Sequence, residues 1–182
     1  MAIDAAKVPG DAFTYDDLLA MPADGRRYEL FDGVLLVTPA PRRLHQRCVQ
    51  RLVVLLSAAA SPDDEILPGP IDVRLADNRI LEPDLIVVRR GTGDEQTIDE
   101  VPRLVVEVAS PSTRAIDRDL KRRAYEEGGV PSYWLVDPSE PSLTVLGLEA
   151  GRYTERARVV GSTSYGAQLP FEVTVTPIDL VS

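Results

Sequence analysis

The spacing of apolar positions changes period several times along this 182-residue chain, and each change marks an element. Thr14, followed three residues later by Asp17, has the form of an N-cap with an acidic first turn. It predicts a short helix from Tyr15 to Ala20 that Pro22 stops. Tyr28 to Phe31 and Val34 to Thr38 flank Asp32-Gly33, which predicts a β-hairpin on a two-residue turn. After Pro39 and Pro41, the residues Leu44, Cys48, Leu52, Leu55 and Leu56 recur at helical spacing up to Ala60, with Arg43, Arg47 and Arg51 along one edge. Pro62-Asp63-Asp64 ends that helix. Ile71 to Leu75 and Arg79 to Val88 read as strands around Ala76-Asp77-Asn78, and Arg90 to Pro102 as a loop.

Leu104 to Ala109 is apolar except for Glu107, as expected of a central strand covered on both faces. A helix follows from about Ala115 to Glu127, with Ile116, Leu120 and Ala124 facing inward and Gly128-Gly129 as its stop. Tyr133 to Val136 is another buried strand, Leu143 to Leu148 and Arg152 to Val159 form a meander, and Phe171 to Val181 reads as a last edge strand. The sum is an α/β fold with a mixed central sheet, flanking helices and an N-terminal hairpin. The length suits one domain over residues 1–182, with 1–12 as a flexible lead.

Charge narrows the function. With 20 Lys+Arg against 29 Asp+Glu, the net charge of −9 disfavours a protein that coats nucleic acid or an anionic membrane with its whole surface. A local basic patch remains allowed. Lysine is scarce: Lys7 lies in the N-terminal lead, so Lys121 is the lysine of the folded part. A single cysteine, Cys48, and a single histidine, His45, exclude a disulfide framework, a multi-cysteine zinc site and a two-histidine zinc centre. The N-terminus has no signal-type apolar run. The longest apolar stretch, Leu52 to Ala60, falls short of the roughly 20 residues that span a bilayer, so a cytoplasmic protein is expected.

Three acids stand out by their neighbours. Glu107 sits inside an apolar strand, where an unpaired carboxylate costs several kcal/mol, so something cationic should meet it. Asp84 follows Pro83 at the head of another apolar run, and Glu29 lies in the first arm of the hairpin. Two carboxylates on adjacent strands and a backbone carbonyl beside one of them make an oxygen site of the kind Mg²⁺ or Mn²⁺ prefers. The plainer alternative is that these acids lie at strand ends and face water. Asp117, Lys121 and Tyr125 share one side of the second helix, at the border of its inner face, from which Lys121 can reach the sheet edge; the alternative is a surface Asp117/Lys121 pair. Arg43, Arg47, Arg118 and Arg122 are candidate contacts to a nucleic-acid backbone, or else solvated helix faces. His45 is read as a structural hydrogen-bonder in preference to a phosphate contact.

Pro83-Asp84, with 22 residues between it and Glu107-Val108-Ala109, resembles the PD-(D/E)XK signature of restriction-endonuclease-like nucleases, with alanine at the signature lysine. More closely, the chain is similar to the Uma-two family of bacterial endonucleases over roughly Thr14 to Tyr153. The similarity rests on Thr14-Tyr15-Asp16-Asp17-Leu18-Leu19, Arg27-Tyr28-Glu29-Leu30-Phe31-Asp32-Gly33, Thr38-Pro39-Ala40-Pro41, Glu82-Pro83-Asp84-Leu85, Val106 to Thr113, Asp117 with Lys121 and Tyr125, and Gly129 to Asp137. The resemblance implies a restriction-endonuclease-like fold and a Mg²⁺- or Mn²⁺-dependent endonuclease acting on DNA. Asp84, Glu107 and the Val108 carbonyl would hold the ion, Lys121 would replace the lysine missing at Ala109, and Glu29 would be an additional acid. A homodimer is the expected assembly. The rival reading is a nuclease-fold protein without catalysis, binding nucleic acid or serving as an oligomeric accessory; a direct Glu107–Lys121 pair in place of a bound ion would favour it.

Overall fold

The computed structural model describes residues 12–38, 40–91, 97–110 and 116–182, the side chains of 116–118 excepted. Helix α1 (Tyr15–Leu19) begins with the expected N-cap Thr14, here part of a capping box in which Thr14 and Asp17 each bond the other's backbone. Strands β1 (Arg27–Phe31) and β2 (Val34–Thr38) pair antiparallel around Asp32 and Gly33, both at positive φ (50° and 78°), the conformation a tight hairpin needs. Helix α2 (Arg43–Ala59) follows.

Strand β3 (Asp64–Pro68) was not expected, because its leading acids read as a helix terminator. It pairs antiparallel with the strand Leu85–Arg89 at the sheet edge, and the buried Asp64 carboxylate is satisfied by Arg103 and by the Ser61 hydroxyl at 2.8 Å. Strand β4 (Asp72–Ala76) follows. The single strand expected over 79–88 is two, β5 (Arg79–Leu81) and β6 (Leu85–Arg89), in different sheets. Pro83 cannot donate to a ladder, so the chain leaves one sheet and enters the other across Glu82-Pro83-Asp84.

The expected loop over 90–102 contains a short strand β7 (Thr97–Ile98), and residues 92–96 lie outside the described ones. Strand β8 (Leu104–Val108) leads through 111–115, also outside the described residues, to a π-helical turn over Ile116–Lys121 and then α3 (Arg122–Glu127). Strands β9 (Ser132–Asp137), β10 (Ser142–Glu149) and β11 (Arg152–Val160) complete the expected meander. The tail is no single edge strand: β12 (Tyr165–Ala167) and β13 (Val173–Val175) pair with each other, and a 3-10 turn covers Pro177–Leu180. Arg47 and Arg51 of α2 donate to the carbonyls of Val181 and Ser182 at 3.2 and 3.1 Å.

A mixed six-stranded sheet, ordered β11-β10-β9-β8-β6-β3, has its parallel pair at β8 and β9. Its strand alternation feeds two cores. Leu85, Val87, Val106, Val108 and Trp134 pack with Cys48, Leu52 and Leu56 of α2. Ile86, Val88, Val105 and Tyr133 pack on the other side with Ala124 and Tyr125 of α3 and with Phe31, Val73 and Leu81 of the five-stranded sheet β2-β1-β5-β4-β7. The crossing at Glu82 to Asp84 therefore joins the two sheets.

Gly69 fixes that crossing. Its N–H donates to the Asp84 carbonyl at 2.9 Å, and a Cβ built on it would stand 2.4 Å from the Pro83 carbonyl oxygen. Since a backbone atom must give way, Gly69→Ala is expected to destabilise by about 1–3 kcal/mol and displace Asp84. Urea unfolding reads the first effect, and the contacts of Asp84 with Arg27 and His45 in the variant's structure read the second.

Candidate active site

The site forms where the two sheets and both longer helices meet. β1 supplies Arg27 and Glu29, which share a face because side chains alternate along a strand. The crossing supplies Glu82 and Asp84, β8 supplies Glu107, α2 supplies His45, and Lys121 and Tyr125 come from the π-helical turn and α3. Leu85 pairs with Val106, so Asp84 and Glu107 are neighbours across the β6–β8 ladder, as the sequence implied.

Two charge clusters share this space. In the first, the Lys121 amine stands 2.8 Å from Glu29 Oε1 and 3.0 Å from Glu107 Oε1, and all three residues are at least 96% buried. Tyr125 donates its hydroxyl to the same Glu107 oxygen at 2.8 Å, and the Glu82 backbone N–H donates to Glu29 Oε1 at 2.8 Å. Burial and then the Glu107 and Glu29 carboxylates hold the Tyr125 phenol well above its ordinary pKa, so it remains a donor.

In the second cluster Asp84 Oδ2 accepts from the Val108 N–H at 2.8 Å and faces His45 Nε2 at 3.0 Å, while Oδ1 takes the Arg27 guanidinium at 2.6 Å. Burial pushes this carboxyl up, but His45, Arg27 and the Val108 N–H together outweigh it and bring the pKa down to about 2.

Lys121 corrects the helix register. A regular α-helix would set Lys121 at the border and Leu120 inside; instead Leu120 is 37% exposed and Lys121 4%. A π-helical turn closes i to i+5 and so rotates each residue less, which carries position 121 inward. Arg27 is a site residue the sequence reading missed, whereas His45, read as a structural hydrogen-bonder, makes that bond to Asp84 at 3.0 Å. The alternation of Arg27 with Glu29, and the inward heptad offset of His45 from Leu52, were the available signals. Among the proposed backbone contacts, Arg43, Arg47 and Arg122 are exposed, Arg47 being held to the chain end and Arg122 to the Tyr153 carbonyl at 3.4 Å. The Arg118 and Asp117 side chains lie outside the described ones.

The donor set fits a divalent cation. Among the described residues no three His, Cys, Asp or Glu side chains already converge as a cage. Mg²⁺, however, commonly takes one or two carboxylates and keeps its waters. Glu82 supplies a separate observation: its Oε2 is buried with no hydrogen-bond partner among the described residues. Burial, then Glu29 and Asp72, push its pKa from 4.5 to about 7 against the pull of Arg27 and Lys121. Carboxylates outnumber the cations here, and an added cation would relieve that excess.

Glu82 also sets a pH dependence. A carboxyl raised on folding contributes most below its unfolded pKa of 4.5, and that contribution is lost as pH rises through about 7. Glu82→Gln is therefore expected to be more stable than wild type at pH 8 by about 1–2 kcal/mol, allowing for partial solvent screening, and equal to it near pH 4. Thermal unfolding at the two pH values checks this.

A crystal structure titled as a putative nuclease belonging to DUF820, from Anabaena variabilis ATCC 29413, superposes with a TM-score of 0.74. It is 17% identical, over 93% of this chain and 97% of the other, and so shares the fold. No curated protein matches the chain significantly. The profile of the Uma2 family, described as "Putative restriction endonuclease", matches residues 15–176, a span that holds every member of both charge clusters. With that span and this nuclease-like fold, the chain belongs to the Uma2 family of restriction-endonuclease-like proteins.

Proposed function

We propose that this chain is a Mg²⁺- or Mn²⁺-dependent endonuclease hydrolysing DNA phosphodiester bonds. The observation that supports the reading is the placing of Asp84 and Glu107 side by side on neighbouring strands, in a site where Glu82 adds a buried carboxylate oxygen with no hydrogen-bond partner among the described residues. Asp84, Glu107 and the Val108 carbonyl would hold the ion, which when bound would make water more acidic and offset the charge on the phosphoryl oxygens. The chain's own groups do the rest. His45 and the Val108 N–H orient Asp84, and Tyr125 orients Glu107. Lys121, held between Glu29 and Glu107, supplies a fixed positive charge near the attacked phosphate, where such charge is worth most because water is excluded. Arg43, Arg47, Arg118 and Arg122 are assigned to the DNA backbone, so binding is expected to weaken as salt rises.

A specific observation favours a second reading, a nuclease-fold protein without catalysis. Lys121 bonds Glu107 directly and Arg27 bonds Asp84, so the acids are already neutralised. A crystal soaked in Mn²⁺ separates the two. An anomalous peak between Asp84 and Glu107 supports the enzyme, and no peak with both pairs intact supports the binder.

A further inference from the structure

The two oxygens of Asp84 have unlike surroundings. Oδ2 is held by His45 from α2 and by the Val108 N–H from β8, both parts of the packed interior. Oδ1 is met, among the described residues, by Arg27 alone, at 2.6 Å. Arg27 is also the accessible cation of the site: its side chain is 16% exposed, against 5% for Lys121 and 9% for His45. Oδ1 is thus the Asp84 oxygen whose partner borders solvent, and a cation approaching from that side meets the guanidinium.

We propose that Arg27 is an internal counter-ion that competes with the divalent cation for Asp84 Oδ1 and, once displaced, turns to hold the phosphate of the substrate. The inference rests on the proposed function. A guanidinium is suited to both tasks, because its planar fork matches carboxylate and phosphate oxygens alike and its charge does not titrate. Its strand position keeps it close whichever it bonds, since Arg27 and Glu29 share a face of β1 and Glu29 stays anchored by Lys121 and the Glu82 N–H. Lys121 is enclosed by two carboxylates and cannot make the same exchange without leaving both. Arg27 thus neutralises Asp84 before the cation binds and adds a phosphate contact afterwards.

A residue that merely supports the fold loosens the cation site when removed; a competitor tightens it. Arg27→Met is expected to bind Mn²⁺ about tenfold more tightly than wild type by isothermal titration, while KM for plasmid nicking rises about tenfold. Arg27→Lys, which keeps a charge without the fork, falls between. In the wild type the Arg27 Nε–H resonance, assigned by its loss in Arg27→Lys, shifts on adding Mg²⁺; a resonance unmoved at saturation overturns the exchange even where Arg27→Met fails to fold. Unchanged or weaker Mn²⁺ binding by Arg27→Met overturns it too, as does tighter binding with KM unchanged. If wild type binds Mn²⁺ and Asp84→Asn does not, those outcomes leave the proposed function standing and remove the exchange alone. If neither wild type nor Arg27→Met binds Mn²⁺, both fall.

Discussion

Lys121→Met is expected to lose about 3–5 kcal/mol of stability together with all nuclease activity, because it leaves two buried carboxylates facing each other without their shared cation. Glu29 and Glu107 are 1% and 2% exposed, and each directs Oε1 at the Lys121 amine. Tyr125 and the Glu82 N–H remain as donors, but neither neutralises charge. The loss appears as a lower urea midpoint at unchanged m-value. Lys121→Arg separates the two roles. It keeps the charge and recovers part of the stability, yet the larger guanidinium cannot occupy a slot shaped for an amine enclosed at 2.8 and 3.0 Å, so activity stays lost. Full activity in Lys121→Arg would mean that the amine acts only as a counter-ion.

Glu107→Gln is expected to do the opposite, lowering the nicking rate by about 10²–10³-fold at a cost to stability of only about 1–2 kcal/mol. The amide oxygen can still accept from Tyr125, and Lys121 keeps Glu29 as its partner, so no buried charge is stranded. What disappears is the anionic ligand. Mn²⁺ titration should show weakened binding in the same variant, and retained affinity with lost activity would move Glu107 from cation binding to another role.

Much of this arrangement was legible in the sequence because local chemistry and the wider fold agree. Asp32-Gly33 specified its hairpin, and an acid inside the apolar run Leu104 to Ala109 demanded a cation that Lys121 supplies. The failures have physical causes. Proline at position 83 splits what periodicity read as one strand, since apolar alternation persists on both sides while the sheet changes. The π-helical turn rotates Leu120 outward and Lys121 inward, which a 3.6-residue period cannot foresee. His45 and Arg27 were hidden differently. Each pairs with Asp84 from an element distant in sequence, and the local signals, alternation with Glu29 and a heptad offset from Leu52, place them inward without naming that partner.

The most direct measurement is nicking of supercoiled plasmid by purified protein in Mn²⁺, comparing wild type with Glu107→Gln and Lys121→Arg. A metal-dependent nuclease built on these residues gives nicking by wild type that chelator abolishes and both variants lack. No nicking by wild type, or equal nicking by all three, would contradict it.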